Sequence, residues 1–205
     1  MDYLDLYYST QENEYMMIDF EEDIQKCLEV LKRGGLILYP TDTVWGIGCD
    51  ATNPGAVERI FQLKNRTEEK AMIVLVADER DVLRHVAAAD LGVFDYIQQQ
   101  QKPVTVVYDG AIGLAENLVG RDGSVAIRIC NDSFCKHLIK RFRKPIVSTS
   151  ANISGKPTPS AFSDIAEEIR QSVDYIVQYR QLDNTPAKPS SVIKWQHGKI
   201  SVIRP

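Results

Sequence analysis

Ile24, Cys27, Leu28 and Leu31 recur at i, i+3, i+4 and i+7, the spacing of one apolar helix face. Gly34-Gly35 ends that helix. Leu36 to Tyr39 is a short run of buried-strand type, closed by Pro40. Asn53-Pro54 has the form of a helix cap followed by proline at the first position, and Val57, Ile60, Phe61 and Lys64 continue on one side. Ala71 to Ala77 is an unbroken apolar strand, after which Asp78 caps a helix carrying Val82, Leu83 and Val86. A polar helix through Gln98–Gln101 precedes a strand at Val104–Tyr108. Residues 109–123 contain four glycines and no period, so they are expected to be loop.

Val125 to Ile129 shows too little alternation for a half-exposed strand, which predicts burial on both faces. Asp132 or Ser133 caps a helix with Phe134, Leu138 and Ile139, and Pro145-Ile146-Val147 begins the next strand. The stretch 148–160 is rich in Ser, Thr, Asn, Gly and Pro and is expected to be a long loop. A helix from about Ser163 follows, then strands near 173–178, 191–195 and 199–203. Strands and helices alternate throughout, which predicts an α/β fold, and the late strands without helices between them predict a mixed sheet. No linker or repeat divides the chain, so residues 1–205 are expected to form one domain.

Composition narrows the class. The 205 residues include 24 Lys+Arg, 28 Asp+Glu and 44% apolar residues, an ordinary globular balance that excludes disorder and collagen-like repeats. No apolar run approaches the roughly 20 residues of a membrane helix, and the acidic start Met1-Asp2-Tyr3-Leu4-Asp5 lacks signal-peptide features. A cytoplasmic protein without membrane association is expected. Cys27, Cys49, Cys130 and Cys135 form no CxxC pair and have no histidine at a metal-ligand spacing, so free thiols and no bound metal are expected. The net charge of -4 argues against a nucleic-acid coat protein. Its distribution is uneven: residues 1–25 hold eight acids and no base, while residues 136–144 hold Lys136, Lys140, Arg141, Arg143 and Lys144 with no acid. That basic run fits either a solvated helix end or a patch for RNA or a partner.

Common catalytic motifs are missing. There is no GxxxxGK[ST], HExxH or GxSxG; Gly155-Lys156 runs into Pro157, and Gly46-Ile47-Gly48 lacks a third glycine. His85, His137 and His197 stand in contexts that suggest structural roles. Any chemistry must therefore rest on positioning and charge neutralisation.

Three segments suggest an anion site. Tyr39-Pro-Thr-Asp-Thr-Val-Trp-Gly-Ile-Gly-Cys-Asp50 puts two hydroxyls, a carboxylate and two glycines just past a strand, where α/β proteins bind ligands; a plain turn fits the spacing equally well. Lys64-Asn-Arg66-Thr-Glu-Glu-Lys70 sets three cations at an element boundary, either to clamp phosphates or as a charged loop whose glutamates neutralise its bases. Ser148-Thr-Ser-Ala-Asn-Ile-Ser-Gly-Lys-Pro-Thr158 offers five hydroxyls and an amide at a strand end, suited to wrapping a phosphate.

In this order these segments resemble the YrdC/TsaC family of threonylcarbamoyl-AMP synthases. Ser124-Val-Ala-Ile-Arg128, Pro189-Ser-Ser-Val192 and Ile203-Arg-Pro205 extend the likeness from about Gly34 to the C-terminus. The resemblance implies a YrdC-like (DHBP synthase-like) twisted mixed/parallel sheet with flanking helices and a basic concave cavity, in the short single-domain form. It implies a nucleotidyltransferase that joins L-threonine, bicarbonate and ATP into threonylcarbamoyl-AMP with release of pyrophosphate, for the t6A modification at position 37 of ANN-decoding tRNAs. A separate transferase complex, met transiently, uses the product. Mg²⁺ arrives with ATP, and tRNA or double-stranded RNA is a further ligand class the resemblance suggests. Carried over residue by residue, Lys64, Arg66, Lys70, Ser124, Ser150, Asn152, Thr158 and Arg204 belong to the ATP side, and Thr41, Arg128, Ser148 and Ser190 to the threonine side. No side chain is assigned as general base. The chain departs from the family pattern at Trp45, Thr67, Ala71, Leu75 and Ser191. Leu75 stands where some members place a histidine near threonine. A rival expectation is an RNA-binding module without chemistry of its own; another, a hydrogenase-maturation carbamoyl domain, would need zinc-finger and acylphosphatase segments not found here.

Overall fold

The computed structural model describes residues 20–65, 72–185, 187–196 and 198–205. Among these residues nine strands form one mixed sheet in the order β7-β1-β2-β6-β3-β5-β4-β8-β9. These are β1 (Ile37–Tyr39), β2 (Gly46–Gly48), β3 (Ile73–Val76), β4 (Val104–Tyr108), β5 (Val125–Ile129), β6 (Ile146–Ser150), β7 (Tyr175–Ile176), β8 (Ser191–Gln196) and β9 (Lys199–Arg204). Three neighbouring pairs are parallel, β1 with β7, β3 with β5 and β4 with β8, and the rest are antiparallel. The helices are α1 (Glu21–Lys32), α2 (Pro54–Leu63), α3 (Glu79–His85), α4 (Gly92–Gln98), α5 (Ser133–Phe142) and α6 (Glu167–Ser172).

Side-chain oxygens start the helices where the sequence predicts. Asn53 Oδ1 accepts from the Ala56 amide at 3.1 Å and Asp78 Oδ1 from the Asp81 amide at 3.2 Å. At α5 the choice falls on Asp132, whose Oδ1 accepts from the Cys135 amide at 2.9 Å. The apolar face of α1 buries Ile24, Cys27, Leu28 and Leu31, and Gly34 (φ +76°) follows the helix in the left-handed region. Asp23 is buried on the same helix. It accepts from the Tyr175 hydroxyl at 2.6 Å and from the Gln178 and Tyr179 amides, tying α1 to the chain after β7.

Boundaries differ from expectation in several places. The helix near Gln98–Gln101 is α4, which ends at Gln98 because its apolar anchors, Val93 and Phe94, lie earlier. The helix expected from Ser163 splits into a 3-10 turn at Phe162–Asp164, held by Asp164 Oδ2 on Ser160 and the Ala161 amide, and α6. Loop 109–123 contains a 3-10 turn at Glu116–Leu118. β6 extends to Ser150 and so takes in the first three residues of the expected loop. Gly46-Ile47-Gly48, which spacing left open between a ligand-binding segment and a plain turn, is the strand β2. A Cβ on Gly48 would lie 2.6 Å from Tyr39 Cε1 and 2.7 Å from the Val147 carbonyl oxygen, so close strand packing demands this glycine.

Strand alternation divides the sheet. Val74, Val76, Val106, Ile127 and Val147 are buried in the apolar core, with α3 and α5 packed against β3. Alternate positions, among them Thr105, Ala126, Arg128, Ser148 and Ser150, face a cavity. In β5 Val125 to Arg128 are all buried, as its weak alternation predicts. No helix among the described residues is long and apolar enough to cross a membrane. All four cysteines are free thiols in the interior.

Candidate functional site

Five expected site residues, Arg128, Ser148, Ser150, Ser190 and Arg204, line one cavity of about 350 Å³. Strands β2, β3, β4, β5, β6 and β8 all contribute to its walls. The size falls within the range of small-molecule sites.

Arg128 is 2% exposed, so its charge must be met inside the protein. Asp42 meets it, with Oδ1 3.0 Å from Nη2. Asp42 Oδ2 in turn accepts from the Asn131 amide at 3.0 Å, which fixes the carboxylate. The Arg128 Nε is buried without a hydrogen-bond partner among the described residues. A guanidinium with spare donors in a cavity wall suits an anionic or carboxylate ligand.

Ser190 and Arg204 form a second group. Ser190 Oγ lies 2.8 Å from Oγ1 of Thr105, and both side chains are buried. Arg204 donates from Nε and Nη2 to the Ser190 carbonyl, at 3.2 and 2.8 Å. The β8–β9 hairpin thereby brings the penultimate residue of the chain beside the cavity.

The remaining expected residues occupy other places. Thr41 does not line the cavity. Its Oγ1 lies 2.9 Å from the Val44 carbonyl oxygen, 3.0 Å from the Thr43 hydroxyl and accepts from the Thr43 amide, so it shapes the turn that presents Thr43 and Val44 to the cavity. Lys64 is 1% exposed. It donates to the carbonyl oxygens of Ser150 and Asn152, and its own carbonyl accepts from the Ser154 amide at 2.9 Å. Its ammonium supports the segment after β6 from below. Asn152 accepts from the Ser150 hydroxyl at 2.5 Å and donates to the Lys156 carbonyl at 2.6 Å, closing the same turn. Ser124 donates to Asp122 at 2.6 Å, and Thr158 is exposed; neither lines the cavity. Arg66 and Lys70 lie outside the described residues, as do the departures Thr67 and Ala71.

Four residues at or beside the cavity, Asp42, Thr43, Trp45 and Thr105, were not assigned from the sequence. Thr105 is the one threonine in the run Val104–Tyr108, otherwise valines and a tyrosine, a signal that was available. Asp42 and Thr43 stood in the Thr-Asp-Thr segment without an assigned role. Trp45 is buried, packs at a tilt against Phe162 with ring centroids 4.9 Å apart, and accepts from the Ala151 amide through its carbonyl, holding the other side of the 150–152 turn. Leu75 is fully buried in the core and is not part of the cavity lining.

The Sua5/YciO/YrdC family model, whose description is telomere recombination, matches residues 29–205, and the chain belongs to this family. A protein named threonylcarbamoyl-AMP synthase from Pseudoalteromonas translucida is 31% identical over 183 residues, covering 88% of this chain and 97% of that one. A putative threonylcarbamoyl-AMP synthase from Methanocaldococcus jannaschii is 30% identical over 188 residues, covering 90% and 87%. Among solved structures, P. abyssi Sua5 complexed with L-threonine superposes with a TM-score of 0.78 at 25% identity, over 89% of this chain and 53% of that chain. The chain thus spans about half the length of that Sua5 structure. E. coli YciO shares the fold, with a TM-score of 0.77 at 20% identity, over 89% and 88%.

Proposed function

We propose that this protein is a threonylcarbamoyl-AMP synthase, an ATP-using transferase that forms an adenylate from L-threonine, bicarbonate and ATP. The observation that carries the reading is the convergence of Arg128, Ser148, Ser150, Ser190 and Arg204 on one cavity. The names of the relatives and the threonine bound by the P. abyssi protein support it.

In this reading Arg128, held by Asp42, attracts the carboxylate of threonine or of its carbamate. The hydroxyls of Ser190 and Thr43 orient the amino acid, and Arg204 with Ser150 faces the nucleotide. The threonine amine attacks the bicarbonate carbon, forming a C–N bond with loss of water. A carbamate oxygen then attacks the α-phosphorus, and the bond to the β-phosphate oxygen breaks to release pyrophosphate. The chain's contribution is to hold three reactants together and to neutralise their charge. Arg66 and Lys70 complete the phosphate clamp, and Mg²⁺ bound to ATP supplies further neutralisation when present. No side chain is given the role of general base.

The product would serve the t6A pathway through a downstream transferase complex in the cytoplasm, with tRNA as the eventual acceptor. The test is mass spectrometry of a mixture of protein, ATP, Mg²⁺, L-threonine, bicarbonate and pyrophosphatase. The reading expects threonylcarbamoyl-AMP only when threonine and bicarbonate are both present. Folded, ATP-binding protein that makes none would overturn it.

A further inference from the structure

A second concave site lies at the opposite end of β6 from the cavity. The cavity takes Ser148, Thr149 and Ser150 from that strand, whereas this groove of about 500 Å³ meets the chain at Lys144 and Pro145, just before it. The two share no lining residue. Arg80 and Arg84 reach the groove from α3, and Lys140, Arg143 and Lys144 from the end of α5 and the residues after it.

Its negative groups are already engaged. Asp78 caps α3 through the Asp81 amide. Asp81 accepts from the Ala77 amide through Oδ2 and pairs with Arg84 at 3.0 Å through Oδ1. Lys144 pairs with Asp50 at 2.6 Å. Arg80, Lys140 and Arg143 are exposed and pair with no carboxylate among the described residues. A helix C-terminus favours cations and explains basic residues on α5. The same preference covers Arg84 in the last turn of α3, but it does not explain Arg80 in the first turn, where a cation is disfavoured. Arg143 also has φ +59°, at a helix end where glycine is the usual residue, so the charged side chain is kept there against backbone preference.

We propose that this groove binds a compact oligophosphate, an anion with two or three linked phosphates. Arginine forks give paired hydrogen bonds to phosphate oxygens, and clustered cations favour a multiply charged ligand over a single carboxylate. Besides its charged residues the lining contains Thr52, His85, Ile139 and Pro145 but no Phe, Tyr or Trp, and the His85 ring is engaged by the Ile112 carbonyl oxygen, 3.1 Å from Nδ1, so recognition runs through the phosphates. A short, partly open groove suits a small anion better than a duplex backbone, which needs an extended stripe of cations.

The test is calorimetric titration with inorganic triphosphate at low salt, using three forms of the full chain. These are the wild type, the double variant Arg80→Gln/Arg143→Gly and the cavity variant Arg204→Gln. Glycine suits the backbone of residue 143, so the double variant is expected to melt no lower than the wild type, which a thermal scan checks. The proposal expects a groove-binding event that survives Arg204→Gln and is weakened by about tenfold or more in the double variant, the scale of lost charged contacts. Restoring Arg143→Lys in place of glycine should recover part of the affinity. Identical titrations of wild type and double variant would overturn the proposal. So would binding of duplex RNA that depends on Arg80 and Arg143 while triphosphate does not bind, because the groove would then be a nucleic-acid surface.

Discussion

Arg128 and Asp42 form an ion pair of 3.0 Å at the cavity, with side chains 3% and 10% exposed. Such a pair lends little net stability, since both charges lose water on burial, but removal of one partner strands the other. Asp42→Asn should therefore destabilise the fold by about 3–5 kcal/mol. It should also raise the KM for threonine, because Arg128 loses its anchor. Denaturant unfolding and threonine-dependent kinetics check both parts. Unchanged stability would mean that the pair opens to water in solution.

Lys64 gives a sharper test of role. As a phosphate ligand its loss would weaken ATP binding alone. As the buried donor to the Ser150 and Asn152 carbonyls, its loss disturbs the whole turn between the two substrates. Lys64→Met is expected to cost about 1–3 kcal/mol of stability, the range for buried groups left unpaired. It should raise KM for ATP and for threonine together. A selective effect on ATP with normal stability would return Lys64 to the phosphates.

Thr105→Val keeps the shape of a fully buried residue and removes the hydroxyl 2.8 Å from Ser190 Oγ. About 1 kcal/mol of stability should be lost, and threonine affinity should fall more than kcat, since Ser190 loses its orienting partner. Steady-state kinetics with varied threonine separates the two.

The cysteines should be inert. Burial pushes the thiols of Cys27, Cys49 and Cys135 upward, so at mildly alkaline pH they stay protonated, and Cys135 also donates to the Pro40 carbonyl at 3.3 Å. All four cysteines are buried. A thiol reagent should label none of them quickly in the native protein and all of them in guanidinium. Rapid native labelling would show local opening, around α1 for Cys27, α5 for Cys135, or the ends of β2 and β5 for Cys49 and Cys130.

What the sequence made legible was whatever depends on local periodicity. The apolar face of α1, the caps at Asn53 and Asp78 and the buried run of β5 follow from residues close in the chain. β2 was not legible, because its three residues include two glycines, and Gly48 is required by Tyr39 on the neighbouring strand β1 and by Val147, which is distant in sequence. The same limit applies at the site. Ser148 and Ser150 were visible as hydroxyls at a strand end, whereas Ser190 and Arg204 followed only from the family resemblance. That Lys64 turns inward to carbonyls 86 and 88 residues away depends on tertiary packing alone. Thr41 likewise shapes its own turn, a choice that spacing left open.

The most direct measurement follows the carbon of bicarbonate. Isotope-labelled bicarbonate is supplied with ATP, Mg²⁺ and L-threonine, and the adenylate is isolated for mass spectrometry from wild type and Arg128→Gln. The wild type is expected to give threonylcarbamoyl-AMP carrying the label, and the variant at least about tenfold less of it, the scale of a lost charged contact. An unlabelled product, or equal labelled product from Arg128→Gln, would contradict the assignment of this cavity to that reaction.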